Sequence, residues 1–234
     1  MSMNAAEKQT LLRKAADRIG RMANLVSRER EYFIKLVHRA ADLEGVEAVF
    51  QRINERDDEM GLDHLMEIKY GVLFKDLRFL PRFEPTGSKG PDLMVERDGV
   101  LAFVEVKRYR LKKGESIPEC LEPDGALKTY GDPARAQDRI VKDLLHKIRQ
   151  IEPRNGVEHG ILALWSDRQF YEDAEFKCAV QQVSTAPKAE LKGLRFCIFG
   201  WGWINRGQSF YCEPVSPPTI PFESWANDIE ASLG

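Results

Sequence analysis

The sequence predicts a mixed α/β fold preceded by a helical N-terminal region, and three observations carry that prediction. Residues 1–58 place apolar side chains at helical spacing, with no β-like run among them. From Arg78 onward, short apolar and β-branched runs alternate with helical stripes. Between two of those runs stands Asp98-Gly99, the dipeptide of a two-residue hairpin turn. At 234 residues, 43% hydrophobic and 31% charged, the chain can bury a real core and is too apolar for wholesale disorder.

The elements follow in order. Leu11, Leu12, Ala15, Ala16, Ile19, Met22, Ala23 and Val26 form a first helical stripe. Phe33, Leu36, Val37, Ala40 and Ala41 form a second, and Val46, Val49, Phe50 and Ile53 a third, with breaks expected at 24–27 and Gly45. These are packing faces, and one of them is a candidate homodimer contact. A fourth helix is expected from Gly61 to Asp76, then strands over 78–84, 92–97 and 100–108. Residues 109–133 are rich in Gly, Pro and charge and read as a long loop. A helix is expected from Pro133 to Ile151, with Ile140, Val141, Leu144, Leu145, Ile148 and Ile151 inward. A strand (158–165), a helix (170–183) and strands over 194–200 and 209–215 follow, and a proline-rich segment leads into a last short helix. The organisation expected is a helical region, 1–58, and a main domain, 59–234.

Net charge is −2 and the pI is near 6.2, so the chain lacks the overall basic footprint of a protein that coats nucleic acid. A local basic cleft stays compatible with those values. No stretch approaches the roughly 18–20 apolar residues of a membrane span, and the N-terminus lacks the apolar core of a secretory signal. Cys120, Cys178, Cys197 and Cys212 have no CxxC spacing and are expected to be reduced thiols. A cytoplasmic protein without a membrane partner is therefore expected. There is no HExxH zinc spacing and no GxxxxGK[ST] phosphate loop.

The informative stretch is residues 86–110, TGSKGPDLMVERDGVLAFVEVKRYR. If Asp98 and Gly99 form the turn, Arg97 faces Val100, and counting back along both strands sets Asp92 opposite Glu105. Their Cβ atoms would lie roughly 4.5–5.5 Å apart, where like charges destabilise a sheet. Lys107 shares the face of Glu105, while Val104 and Val106 point the other way with Leu93 and Val95. A divalent cation would make the facing carboxylates tolerable, since Mg²⁺ takes one or two carboxylates and completes its shell with water and phosphate. Lys107 could then hold the attacking water or stabilise charge on phosphorus. The competing reading is an exposed hairpin whose charges are solvated, with Lys107 neutralising the pair.

Pro91-Asp92, twelve intervening residues, then Glu105-Val106-Lys107 resembles the signature of the PD-(D/E)XK nucleases, the restriction endonuclease-like fold. That family's core is a helix, a three-stranded meander, a helix and a further strand, similar to the order expected here over residues 59–165. The resemblance implies a mixed sheet flanked by helices and Mg²⁺ (or Mn²⁺) as cofactor. It implies hydrolysis of nucleic-acid phosphodiester bonds that leaves 5′-phosphates. DNA is the favoured substrate, cut by an endonuclease of restriction, repair or defence type. It further implies Asp92, Glu105 and the Val106 backbone carbonyl as metal ligands and Lys107 as a catalytic residue. Glu67, on the preceding helix, matches an additional metal carboxylate, with Glu59 and Asp63 competing for the role. Gln137, on the apolar stripe of the following helix, matches a polar catalytic residue. Ser88, Lys89, Arg108, Arg110, Lys112 and Lys113 are either solvated loop residues or contacts to nucleic-acid phosphates. The alternative function is a binding module on the same fold, holding nucleic acid or protein without cutting.

Overall fold

A computed structural model describes residues 4–87, 90–109, 133–166, 173–191, 193–201, 211–216, 219 and 221–233. Four helices come first: α1 (Ala5–Gly20), α2 (Ser27–Arg39), α3 (Val46–Glu55) and α4 (Asp58–Asp76). The break before α3 falls at the expected Gly45, but α1 ends at Gly20, ahead of the expected 24–27, so Met22, Ala23 and Val26 lie between helices and Val26 is exposed. At the start of α1, the Asn4 side chain accepts from the Glu7 N–H while the Glu7 carboxylate accepts from the Asn4 N–H, a reciprocal cap. Helix α4 begins three residues before the expected Gly61, because the Asp57 side chain caps the Met60 N–H.

A meander of β1 (Leu80–Phe83), β2 (Leu93–Arg97) and β3 (Val100–Tyr109) follows. Helix α5 (Pro133–Ile148) crosses over to β4 (Gly160–Ser166). Then come α6 (Asp173–Ser184), α7 (Lys188–Leu191), β5 (Leu194–Trp201), β6 (Tyr211–Pro214) and α8 (Phe222–Leu233). The strands form one mixed six-stranded sheet in sequence order. β1, β2 and β3 are antiparallel, β3–β4 and β4–β5 are parallel, and β5–β6 is antiparallel. Asp98 and Gly99 both have positive φ, 55° and 77°, as a type I′ turn requires. The hairpin has the expected register, from Arg97↔Val100 to Leu93↔Val104.

Helices cover both faces of the sheet. Alternation along β3 sends Ala102, Val104 and Val106 into one core with α1–α4 and α8, and Phe103 and Tyr109 into another with α5 and α6. The hairpin face that carries Glu105 is therefore not a solvent face. The apolar side chains of α1–α3 belong to the same continuous core as α4 and the sheet. Helix α4 lies between those layers and is buried on nearly every side. Gly71 lets it approach the meander, since a Cβ there would meet Phe83 Cζ at 2.5 Å. Among the described residues no helix is long and apolar enough to cross a membrane. Cys178, Cys197 and Cys212 are free thiols, and Cys120 lies outside the described residues.

Candidate active site

The open end of the β2–β3 hairpin gathers the candidate chemistry. Asp92 immediately precedes β2, and because Leu93 pairs with Val104, the next step outward brings Asp92 level with Glu105. Two hydrogen bonds fix it there. Its Oδ2 accepts from the Val106 backbone N–H at 2.8 Å, and its carbonyl accepts from the Glu84 N–H at 2.9 Å. The N–H and C=O of one residue leave a strand on the same side, so the Val106 carbonyl shares the edge that Asp92 occupies.

Glu105 is only 2% exposed. Its Oε1 pairs with the Lys147 ammonium in the last turn of α5, while its Oε2 is buried with no hydrogen-bond partner among the described residues. Lys107 is half-buried, two residues farther along the same face of β3, beside Leu164 on β4. Glu67 of α4 is the third acid. Its Oε1 meets His64 Nδ1 at 2.7 Å, and its Oε2 accepts from Arg52 Nη2 at 2.9 Å. Arg52, on α3, also pairs with Glu84 just after β1, so one guanidinium ties the N-terminal helices to both sides of the site.

The electrostatics follow from crowding acids at the buried end of a sheet. Burial pushes the Asp92 carboxyl well above the ordinary range, and the charges of Glu67 and Glu105 push it further. The Val106 N–H and Lys147 oppose that shift without reversing it. Burial also raises Glu105, with Glu67 adding to the rise and Lys147 and the Asp92 backbone N–H opposing it. At Lys147, burial disfavours the charge, but Glu105, Asp92 and Glu67 together outweigh burial and raise its pKa.

Among the described residues, no three His, Cys, Asp or Glu side chains form a ready-made metal cage. The donor set suits a hard cation held by few protein oxygens: two carboxylates, one with an unpartnered buried oxygen, and an edge carbonyl. Glu67 contributes charge more than free donors, because each of its oxygens already meets a partner.

Two sequence expectations are corrected. Arg108 is not positioned to meet phosphates: its side chain is wholly buried on the α4 face of β3. Its Nε donates to Asp63 Oδ1 at 2.7 Å, and its Nη2 donates to the Glu59 carbonyl at 3.0 Å and pairs with the Glu59 carboxylate. That pairing also removes Glu59 and Asp63 as rivals of Glu67. Gln137 is not at the site either. It is half-exposed, and its amide donates to Gln182 Oε1 of α6 at 3.0 Å. Parallel β3 and β4 require α5 to run back antiparallel to them, so its last turn, not its first, lies level with Glu105. Ten residues of helix, about 15 Å, separate Gln137 from Lys147. Ser88, Lys89, Arg110, Lys112, Lys113 and most of residues 109–133, where a long loop was expected, lie outside the described residues.

Sequence reasoning missed Lys147, Arg52 and His64. Lys147 sits just before inward Ile148 and three residues after inward Leu144, and a cation near the end of a crossover helix was the available signal. His64 stands three residues before Glu67 on the same helix, an i,i+3 spacing that was the available signal, whereas Arg52 carried none, because only tertiary packing brings α3 against α4. Compared with known proteins, the chain matches no family model, no curated protein and no solved structure.

Proposed function

We propose that this protein is a metal-dependent nuclease of the PD-(D/E)XK type that hydrolyses phosphodiester bonds, with DNA as the favoured substrate. One observation carries the reading: Asp92 and Glu105 meet at a buried sheet end, and Glu105 Oε2 has no hydrogen-bond partner among the described residues. A buried carboxylate oxygen without a donor is unfavourable unless something electropositive completes it.

Asp92, Glu105 and the Val106 carbonyl would hold Mg²⁺ or Mn²⁺. When bound, the ion supplies Lewis-acid polarisation of the phosphoryl group and eases deprotonation of the attacking water. Lys107, on the same face as Glu105, orients that water and offsets the charge that develops on phosphorus. Glu67, held by Arg52 and His64, keeps the site acidic and so favours cation entry. The water oxygen forms the new P–O bond while the bond from phosphorus to the 3′ oxygen breaks, leaving a 5′-phosphate and a 3′-hydroxyl.

The non-catalytic binding module is favoured by one feature, the Lys147–Glu105 ion pair, which already neutralises one carboxylate without metal. Calorimetric titration with Mn²⁺ and with Mg²⁺ tests the nuclease reading. One divalent-ion site that is lost in Asp92→Asn supports it, and no binding to the wild type, with or without DNA, supports the module.

A further inference from the structure

Lys147 reaches the site from α5, on which sequence reasoning had favoured Gln137, with Lys142 as a weaker candidate off the apolar stripe. Its ammonium holds Glu105 Oε1 and also feels the charges of Asp92 and Glu67, the same three acids that surround the proposed cation. Its side chain keeps 18% of its surface exposed, against 3% for Glu105, so the lysine occupies the rim of the site and the glutamate its floor. A divalent ion on Glu105 would sit beside this ammonium and repel it. Once the ion offsets the charges of Asp92 and Glu105, with Glu67 already paired with Arg52, little negative charge is left to hold Lys147 in place. The nearest new anion is then the phosphate of a bound substrate, and lysine binds phosphate readily as a point charge.

We propose that Lys147 is the resident counter-ion of this site: it competes with the divalent cation for Glu105 and gives way when a nucleic-acid phosphate accepts its ammonium. This rests on the metal-dependent reading above. Metal and nucleic acid then bind with positive coupling, and the coupling is reciprocal. Lys147 acts through Glu105 and is a positioning residue.

The test is Mn²⁺ affinity by electron paramagnetic resonance, with and without a short DNA duplex made hydrolysis-resistant by phosphorothioate linkages. The duplex should tighten Mn²⁺ binding to the wild type by about tenfold. Lys147→Met should bind Mn²⁺ about tenfold more tightly than wild type without DNA, and the duplex should then add little. Lys147→Gln, which keeps a donor without the charge, should behave like Lys147→Met, and Lys147→Arg should behave like wild type. If Lys147 only braces the fold, both neutral variants will bind Mn²⁺ no more tightly than wild type, and the proposal is overturned while the metal reading stands. Failure of wild type and Lys147→Met alike to bind Mn²⁺, with or without DNA, would overturn the metal reading and this proposal together.

Discussion

Asp92 completes the hydrogen bonding of Val106 across the open end of the hairpin, its Oδ2 accepting the backbone N–H at 2.8 Å. One side chain thus serves two purposes, ending the β2–β3 ladder and presenting a carboxylate beside Glu105. The two can be separated by substitution. Asp92→Asn keeps an acceptor for the Val106 N–H, whereas Asp92→Ala leaves that donor unpaired at a loss of about 1–3 kcal/mol. In metal-free urea unfolding, Asp92→Asn should be at least as stable as wild type, because repulsion from Glu105 and Glu67 is relieved, and Asp92→Ala should be less stable than Asp92→Asn. Both should lose divalent-ion binding in calorimetry.

Raised carboxyl pKa values set the pH dependence of the metal-free protein. Unfolded, Asp92 and Glu105 titrate near 3.8 and 4.5; folded, burial holds both higher. The folded state therefore binds more protons across that interval, and these groups lower stability as pH rises from the ordinary carboxylate range to their raised values. Above those values the penalty is complete. The stability advantage of Asp92→Asn over wild type should accordingly grow with pH in chelator and then level off, as thermal unfolding in a pH series would show. Lys147 acts at the other end: its pKa is raised, so its contribution is complete below 10.5 and is lost as pH climbs through its raised value.

Arg108 is a structural residue. Arg108→Met should lower stability by about 2–3 kcal/mol, since it removes charge-assisted hydrogen bonds to Asp63 and Glu59 while those acids stay partly hydrated. DNA affinity and its salt dependence should not change, because no phosphate contact is lost. A reduced salt slope with unchanged stability would return Arg108 to the nucleic-acid surface.

The hairpin was legible because its signals are local. Asp98-Gly99 fixes the turn, strand alternation fixes the faces, and the register then sets Asp92 against Glu105 without any tertiary information. The same alternation already put Arg108 on the face of Val104 and Val106, but its neighbours Arg110, Lys112 and Lys113 made it look like part of a basic loop. Gln137 lies on the correct stripe of α5 but at the wrong end, because a periodic pattern identifies a helix face and not which end meets the site. Arg52 depends on how whole helices pack, which no spacing in the sequence encodes, and Lys147 was marked only by its place near the end of a crossover helix.

Lys107 separates chemistry from binding. Lys107→Ala should reduce the cleavage rate by roughly 10²–10³, typical for loss of one charge-stabilising donor. Its stability should stay close to wild type, because the side chain is half-buried on the site face and not among the core residues Val104 and Val106. Divalent-ion affinity should be nearly unchanged, in contrast to Asp92→Asn. Loss of metal binding in Lys107→Ala would place Lys107 in the metal site and remove it from the transition state.

The most direct measurement is cleavage itself. Purified wild type and Glu105→Gln are incubated with supercoiled plasmid, single-stranded DNA and RNA, each with Mg²⁺, Mn²⁺ or chelator. Metal-dependent nicking or linearisation of plasmid by wild type, 5′-phosphate ends on the products, and no cutting by Glu105→Gln or in chelator are the expected results. Intact substrates with wild type under every metal condition, or equal cutting by Glu105→Gln, would contradict the nuclease reading.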